Sequence, residues 1–198
     1  MTVVELDGGL WISSPVALEG DLQAELEDIG AVRWVLAPNR YHHLYVGDFA
    51  AAYPDAELSC SPGLKDKRQD IAWGRTVEDH ATWGDVEALR IGGMPLLDEL
   101  VFLHRPSRSL VVTDLLMNTE RSGRWLTDLV LKLDGVRTGT PEVSRLFRAF
   151  AIRDRDRLSA SIDHLLSWDF DRLVVCHGRN VERGAKDLVA RALGRLQR

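Results

Sequence analysis

Apolar residues in this chain follow two rhythms. Short runs rich in β-branched and aromatic residues alternate with stretches in which apolar positions recur every third or fourth residue. The first strand-like runs cover 3–6 and 10–12, with Gly8 and Gly9 as the turn between them. Leu22, Leu26 and Ile29 then fall at helical spacing within 21–29, and Gly30 stops that helix. Trp34, Val35 and Leu36 read as a buried strand, 48–53 as a short helix closed by Pro54, and 57–60 as another strand. From 86 to 114 the pattern is a β-meander with strands over 86–91, 99–104 and 109–113. The turn Arg105-Pro106-Ser107-Arg108 divides the last two.

A mixed segment then runs to Gly139. Thr140-Pro141-Glu142 has the form of a helix start, with a capping hydroxyl and proline in the first turn. Leu158, Ile162, Leu165 and Leu166 mark the next helix, and 173–176 is the last strand. Val181, Ala185, Leu188, Val189, Ala192 and Leu196 lie along one face of a closing helix. Strands come in two groups, each followed by helices. That order predicts an α/β fold of four layers, two sheets packed face to face under outer helices. Nothing repetitive, low in complexity or linker-like divides the chain, and 198 residues fit one domain over 1–198 with a substantial core.

Composition adds exclusions. An apolar content of 45% and a charged content of 28% are ordinary for a soluble globular chain. A net charge of -5 gives no polybasic footprint, so no nucleic-acid partner is expected. The alternating run from Arg153 to Arg157 reads as a solvated helix start. The first residues lack the basic and apolar regions of a signal peptide, and no run of about 18 apolar residues is present to span a membrane. These features predict a cytoplasmic protein without a membrane partner. Cys60 and Cys176 both lie in β-like runs and read as two reduced, buried thiols.

The candidate chemistry sits where β-runs end. Residues 33–37 deliver the chain to Pro38-Asn39-Arg40-Tyr41-His42-His43, the run 109–113 ends on Asp114, and 172–176 ends on His177 before Gly178. Imidazoles and a carboxylate suit zinc, iron or manganese, and loops at strand ends let a rigid sheet gather ligands from distant parts of a sequence. His42, His43, Asp114 and His177 are therefore candidate metal ligands. Each has a plainer reading. The His pair would face solvent and cap the next helix, Asp114 would be the N-cap of a helix from Leu115 onward, and His177 would be a core histidine bonded to backbone. Arg40, Tyr41 and Arg179, with Asn180, share those loops and are candidates to line a substrate pocket. Arg40 suits bidentate grip of an anion, or is an exposed loop arginine. Glu99 opens an apolar run and is either a support for a ligand histidine or a surface group at a strand start. Cys176 and His177 are strand neighbours that point to opposite faces, which argues against a thiol–imidazole dyad and places Cys176 in the core. His80 and His104 read as surface residues and His164 as a helix residue. Trp73, Trp83 and Trp125 pack the core or form a pocket wall. No nucleophile elbow, phosphate-cradling loop or dinucleotide fingerprint occurs.

These strand ends resemble the metallo-β-lactamase superfamily, and more narrowly its DUF4336 branch. The resemblance runs from Leu10-Trp11-Ile12-Ser13-Ser14 to the last helix. It is most particular at Pro-Asn-x-x-His-His, at Leu-Val-Val-Thr-Asp114, and at Trp168-Asp-Phe-Asp-Arg-Leu-Val-Val-Cys-His177-Gly. It implies a four-layer αβ/βα sandwich of two mixed sheets flanked by helices, and a hydrolase site built for two metals. The superfamily motif His-x-His-x-Asp-His, laid on 38–43, puts its leading histidines on Pro38 and Arg40, its aspartate on His42 and its last histidine on His43. The bridging aspartate matches Asp114, the final histidine matches His177, and the remaining histidine falls at Met94. By this resemblance the first metal site is lost, while the second keeps His43, Asp114 and His177 and gains His42. One divalent ion is implied, zinc first, with iron or manganese as alternatives. One ion still lowers the pKa of a bound water to roughly 7 and polarises a carbonyl or phosphoryl oxygen. Four protein ligands tend to close a zinc shell, so catalysis needs a fifth position or a ligand that leaves. The expected function is a single-metal hydrolase of a small-molecule ester, thioester, amide or phosphoester. The alternative is an inactive member of the fold, a scaffold or a binder of an anionic ligand through Arg40 and Arg179. A redox role with iron is the third option.

Overall fold

The computed structural model describes residues 1–119 and 139–197. The first sheet has the order β1 (Thr2–Leu6), β2 (Gly9–Ser13), β3 (Val32–Ala37), β4 (Glu57–Cys60) and β5 (Arg75–Thr76). Its first pair is an antiparallel hairpin and the rest of its pairs are parallel. The second sheet contains β6 (His80–Trp83), β7 (Val86–Arg90), β8 (Leu100–His104), β9 (Ser109–Val112) and β10 (Arg172–Val175), with β6 at one edge and β10 at the other. Its strands are antiparallel except for the β9–β10 pair. The described helices are α1 (Leu22–Ile29), α2 (Val46–Ala52), α3 (Pro62–Lys67), α4 (Arg145–Phe150), α5 (Arg155–Ser167) and α6 (Ala185–Leu193).

Side-chain alternation along the strands builds the layers. On β2, Leu10 and Ile12 join a core with Leu26, Phe49 and Leu64 of the helices, while Trp11 points the other way. On β8, Val101 and Leu103 pack with Leu158, Ile162 and Val189 of α5 and α6, while Leu100 and Phe102 face Trp11 and Leu36 of the opposite sheet. Three cores therefore separate four layers of helix, sheet, sheet and helix. In the middle one, the rings of Trp11 and Phe102 meet edge to face with centroids 4.9 Å apart, a contact worth about 0.5–1.5 kcal/mol beyond area burial. Two mixed sheets flanked by helices agree with the fold expected from the strand grouping.

The structure differs from the sequence pattern in several elements. No helix starts at Thr140. Met117 and Glu142 instead exchange backbone hydrogen bonds of 3.0 and 2.9 Å, and the helix begins at Arg145. Glu142 is buried and its carboxylate meets Arg195, so tertiary pairing overrides the local capping signal. Val181 pairs with Leu173 rather than joining the last helix, which begins at Ala185 after Gly184 at φ +70°. α2 starts at Val46, two residues before the expected position. β5, β6 and α3 are too short to give a periodic signal. Trp125 lies outside the described residues, as does most of the segment before Gly139. Both thiols are free, but only Cys60 is buried, since Cys176 is half-exposed and not a core residue. Among the described residues, no helix is long and apolar enough to cross a membrane.

Candidate metal centre

The centre begins with Asn39, two residues beyond β3. Its Oδ1 accepts from the backbone N–H groups of Tyr41 (2.8 Å) and His42 (2.9 Å), an Asx turn that folds the chain back over the sheet ends. Its Nδ2 faces three acceptors: Asp114 Oδ2 at 2.7 Å, Thr113 Oγ1 at 2.9 Å and Glu99 Oε2 at 3.2 Å. The side chain is fully buried. One residue therefore fixes both the loop that carries His42 and the carboxylate of Asp114.

Glu99 holds the same site from below. Its Oε1 accepts from Thr113 N at 2.8 Å, and its Oε2 from Asp114 N and Leu115 N at 2.9 and 3.0 Å. Where β9 runs out, this carboxylate takes the place of a neighbouring strand. It has no solvent exposure, which corrects the reading of Glu99 as a surface group. Burial, and then the charge of Asp114, push its carboxyl up to about 7, while the N–H donors pull the other way.

Three side chains converge above this support. Asp114 Oδ2 lies 3.3 Å from His42 Nε2, Asp114 Oδ1 lies 3.1 Å from His177 Nε2, and the two Nε2 atoms are 3.2 Å apart. His42 Nδ1 is paired with Ser14 Oγ at 2.6 Å, which fixes the ring and directs Nε2 inward. His177 is held through its backbone, with Asn118 N donating to its carbonyl at 3.0 Å. Gly178 follows at φ +110°, where a Cβ would collide with the Asn118 carbonyl. Burial disfavours charge on Asp114, but His177, His42 and Asn39 hold its carboxyl well below the usual carboxylate range. Burial also opposes charge on His42, yet Asp114, and behind it the Cys176 thiol, raise its pKa to about 10.

The donor set fits a metal ion. A tetrahedral ion with bonds of about 2.0 Å has ligand–ligand edges of about 3.3 Å; the two Nε2 atoms are 3.2 Å apart, and each lies at 3.1 or 3.3 Å from a different oxygen of the Asp114 carboxylate. His42, Asp114 and His177 form one of two groups of potential metal ligands among the described residues. An ion would displace the proton that His42 holds against Asp114.

His43 does not join them. Its Nδ1 lies 2.9 Å from Arg68 Nη1, which also donates to its carbonyl at 3.2 Å. Burial, then the charges of Lys67 and Arg68, lower its pKa. The Asx turn aims His42 at Asp114 and His177 and sends its neighbour the other way, so of the four expected ligands His43 lies outside the group that converges. Met94 is buried in the outer core of the second sheet. Arg40 runs to α3, where its guanidinium and the Asp98 carboxylate flank Gly63. Tyr41 lines a cavity of about 340 Å³ together with Val16, Leu44, Tyr45, His42 and Cys176. Among the described residues, Arg40 and Arg179 are not part of its lining. Arg179 sits in the loop beside Asn118 through backbone hydrogen bonds, and Asn180 Oδ1 caps Val175 N. The sequence reading missed Ser14 and the hub role of Asn39. An Asn placed two and three residues before the turn N–H groups is the one signal that pointed to the latter, whereas nothing marked Ser14.

No protein-family model matches the sequence, and no curated protein matches it. Solved structures do. The DIM-1 metallo-β-lactamase is 13% identical, with 98% of this chain and 83% of that one covered at a TM-score of 0.62. TMB-1 is 14% identical over 99% and 85%, at 0.64. FIM-1 from Pseudomonas aeruginosa, in a mono-zinc form, is 11% identical over 98% and 83%, at 0.62. Likeness at such identities is likeness of backbone, and it assigns this chain the metallo-β-lactamase fold.

Proposed function

We propose that this protein is a metal-dependent hydrolase working with one divalent ion held by His42, Asp114 and His177, and that it lies in the DUF4336 branch of the metallo-β-lactamase superfamily. The observation that carries this reading is the convergence of two imidazole Nε2 atoms, 3.2 Å apart, on the two oxygens of one buried carboxylate at 3.1 and 3.3 Å. Zinc is the first choice, in keeping with the mono-zinc form of FIM-1, and iron or manganese are alternatives that suit the same donors. Three protein ligands leave a coordination position open, as catalytic sites require and four-ligand structural sites do not. When bound, the ion supplies Lewis acidity for activating water and polarising a carbonyl or phosphoryl oxygen. The chain supplies the rest. Ser14 holds the His42 ring, and Asn39 and Glu99 hold Asp114 from two sides. Val16, Tyr41, Leu44 and Tyr45 offer an apolar wall to the substrate.

A second reading draws on the same contacts. His42, Asp114 and His177 satisfy one another without an ion, as they would in a non-catalytic binding or scaffold protein. Metal content, followed by assay on chromogenic esters, thioesters, amides and phosphodiesters, separates the two. The hydrolase reading expects the His42→Ala, His177→Ala double variant to bind about one equivalent less metal and to lose hydrolysis. A folded wild type that matches this variant in metal content and hydrolysis after supplementation with zinc, manganese and iron would overturn it.

A further inference from the structure

The far edge of the second sheet carries another group of metal-type side chains. In the β6–β7 register Thr82 lies opposite Glu87 and His80 opposite Leu89, so His80 and Glu87 are diagonal neighbours on one face. Leu89 shares that face and belongs to the core beneath α5 and α6. α5 crosses it with Leu158, Ile162 and Leu165 inward, which brings His164 alongside. One ligand atom from each of His80, Glu87 and His164 lies within 4.8 Å of the other two. The two imidazole rings are 4.7 Å apart between centroids, tilted by 35°.

The carboxylate is oriented from both sides. Trp168 Nε1 donates to Glu87 Oε1 at 3.2 Å, Arg105 pairs with Oε2, and the Trp168 ring stands edge-on to His164 at 6.0 Å. A ligand carboxylate braced by hydrogen bonds is the usual surrounding of a metal site. The histidines are exposed while Glu87 is half-buried. The three ligand atoms, within 4.8 Å of one another, stand near the edge of about 3.3 Å of a tetrahedral site, and both rings are on the surface.

We propose that His80, Glu87 and His164 form a second site for a divalent transition-metal ion such as zinc, with a fourth position open to solvent. Two imidazoles and one carboxylate are a donor set of three-ligand zinc sites. An ion bound there ties the edge strand β6 to α5 and joins two elements otherwise linked through side-chain packing. The site stands independently of the centre at His42.

Zinc binding by the full chain tests it, with metal content and a competing chromophoric chelator as readouts. The His80→Ala, His164→Ala variant is expected to bind one equivalent less zinc than wild type, and the His42→Ala, His177→Ala variant is expected to retain the equivalent that His80 and His164 hold. Trp168→Phe, which keeps the ring but removes the N–H to Glu87, is expected to weaken that equivalent at least about 10-fold. Zinc is expected to raise the thermal midpoint of the His42→Ala, His177→Ala variant, an effect lost when His80→Ala and His164→Ala are added. Equal zinc uptake by wild type and the His80→Ala, His164→Ala variant would overturn the proposal, whatever the other centre does.

Discussion

Replacing Asn39 by aspartate changes one buried atom from donor to acceptor and leaves the shape alone. That atom lies 2.7 Å from Asp114 Oδ2 and 3.2 Å from Glu99 Oε2. If the introduced carboxyl ionised, it would stand against two carboxylates, at about 5–6 kcal/mol of repulsion for each close pair at an effective dielectric constant near 20. Taking up a proton is the cheaper response. Holding a carboxyl with an ordinary pKa of about 3.9 in its neutral form costs about 1.4 kcal/mol per pH unit, or about 5–6 kcal/mol at pH 8 and about 1.5 at pH 5. The neutral form donates to one acceptor only, so about 1–3 kcal/mol of hydrogen bonding is lost at either pH. The folded-state pKa of the new carboxyl is raised, so its contribution is most favourable at low pH and is lost as pH rises. Asn39→Asp is thus expected to cost about 3 kcal/mol at pH 5 and about 7 at pH 8, which approaches the whole stability of a domain. Asn39→Ala loses the same hydrogen bonds without adding an acid, and its cost rises less steeply with pH, through the upward push on Glu99 alone. Urea unfolding with a chelator at both pH values measures the difference. A gap between the two variants that does not widen with pH would refute the assigned geometry, as would an Asn39→Asp variant within about 1 kcal/mol of wild type at pH 8.

Other perturbations probe the rest of the site. His43→Ala should leave metal content unchanged while His42→Ala lowers it by one equivalent; the reverse order would restore His43 as the ligand. Gly178→Ala puts a Cβ against the Asn118 carbonyl at φ +110°, and strain plus one or two lost hydrogen bonds predict about 3–5 kcal/mol of destabilisation in urea together with weaker metal binding. In metal-free protein, His42 has its folded pKa raised from 6.5 to about 10, so its stabilisation is complete below 6.5 and lost as pH rises through about 10. Asp114, depressed from 3.8, adds stability that is present above that value and lost as pH falls. Urea midpoints with a chelator should therefore decline on the alkaline side, and His42→Gln should flatten that decline. Zinc affinity should run the other way and tighten with pH, because His42 must release its proton to bind.

Much of the fold was legible because the strands that build it alternate cleanly or are apolar throughout. Runs such as Leu100 to Leu103 and Leu110 to Val112 allow few other readings, and their grouping indicates two sheets. The elements that were missed are those fixed by distant partners: Glu142 by Met117 and Arg195, Val181 by Leu173, and the short edge strand β6 by β7. In the site, Asp114 and His177 were legible because each closes an apolar strand on a polar residue. The choice between His42 and His43 was not, because it depends on which way the Asx turn at Asn39 points. Glu99 misled for a similar reason. A carboxylate at the head of an apolar run looks exposed until the three backbone N–H groups that surround it are known.

The Glu99–Asn39–Asp114 arrangement also bears on whether the centre is kept for use. Two carboxylates bridged by one buried amide are an expensive way to end a strand, and burial together with the charge of Asp114 pushes Glu99 up to about 7. A well-packed apolar group in place of a buried charged network is often neutral or stabilising. Nothing about the four-layer packing requires an acid at Asp114, since the neighbouring Leu110, Val111 and Val112 are apolar and buried. What the network does fix is direction. Asp114 receives support from Asn39 on one oxygen and from Glu99 at its backbone N–H, which leaves both its oxygens turned to His42 and His177. A retired centre would be expected to shed such a network first, because each of its members is costly alone. Asp114 stays buried and braced between His42 and the exposed His177, which is the pattern expected if the three bind an ion.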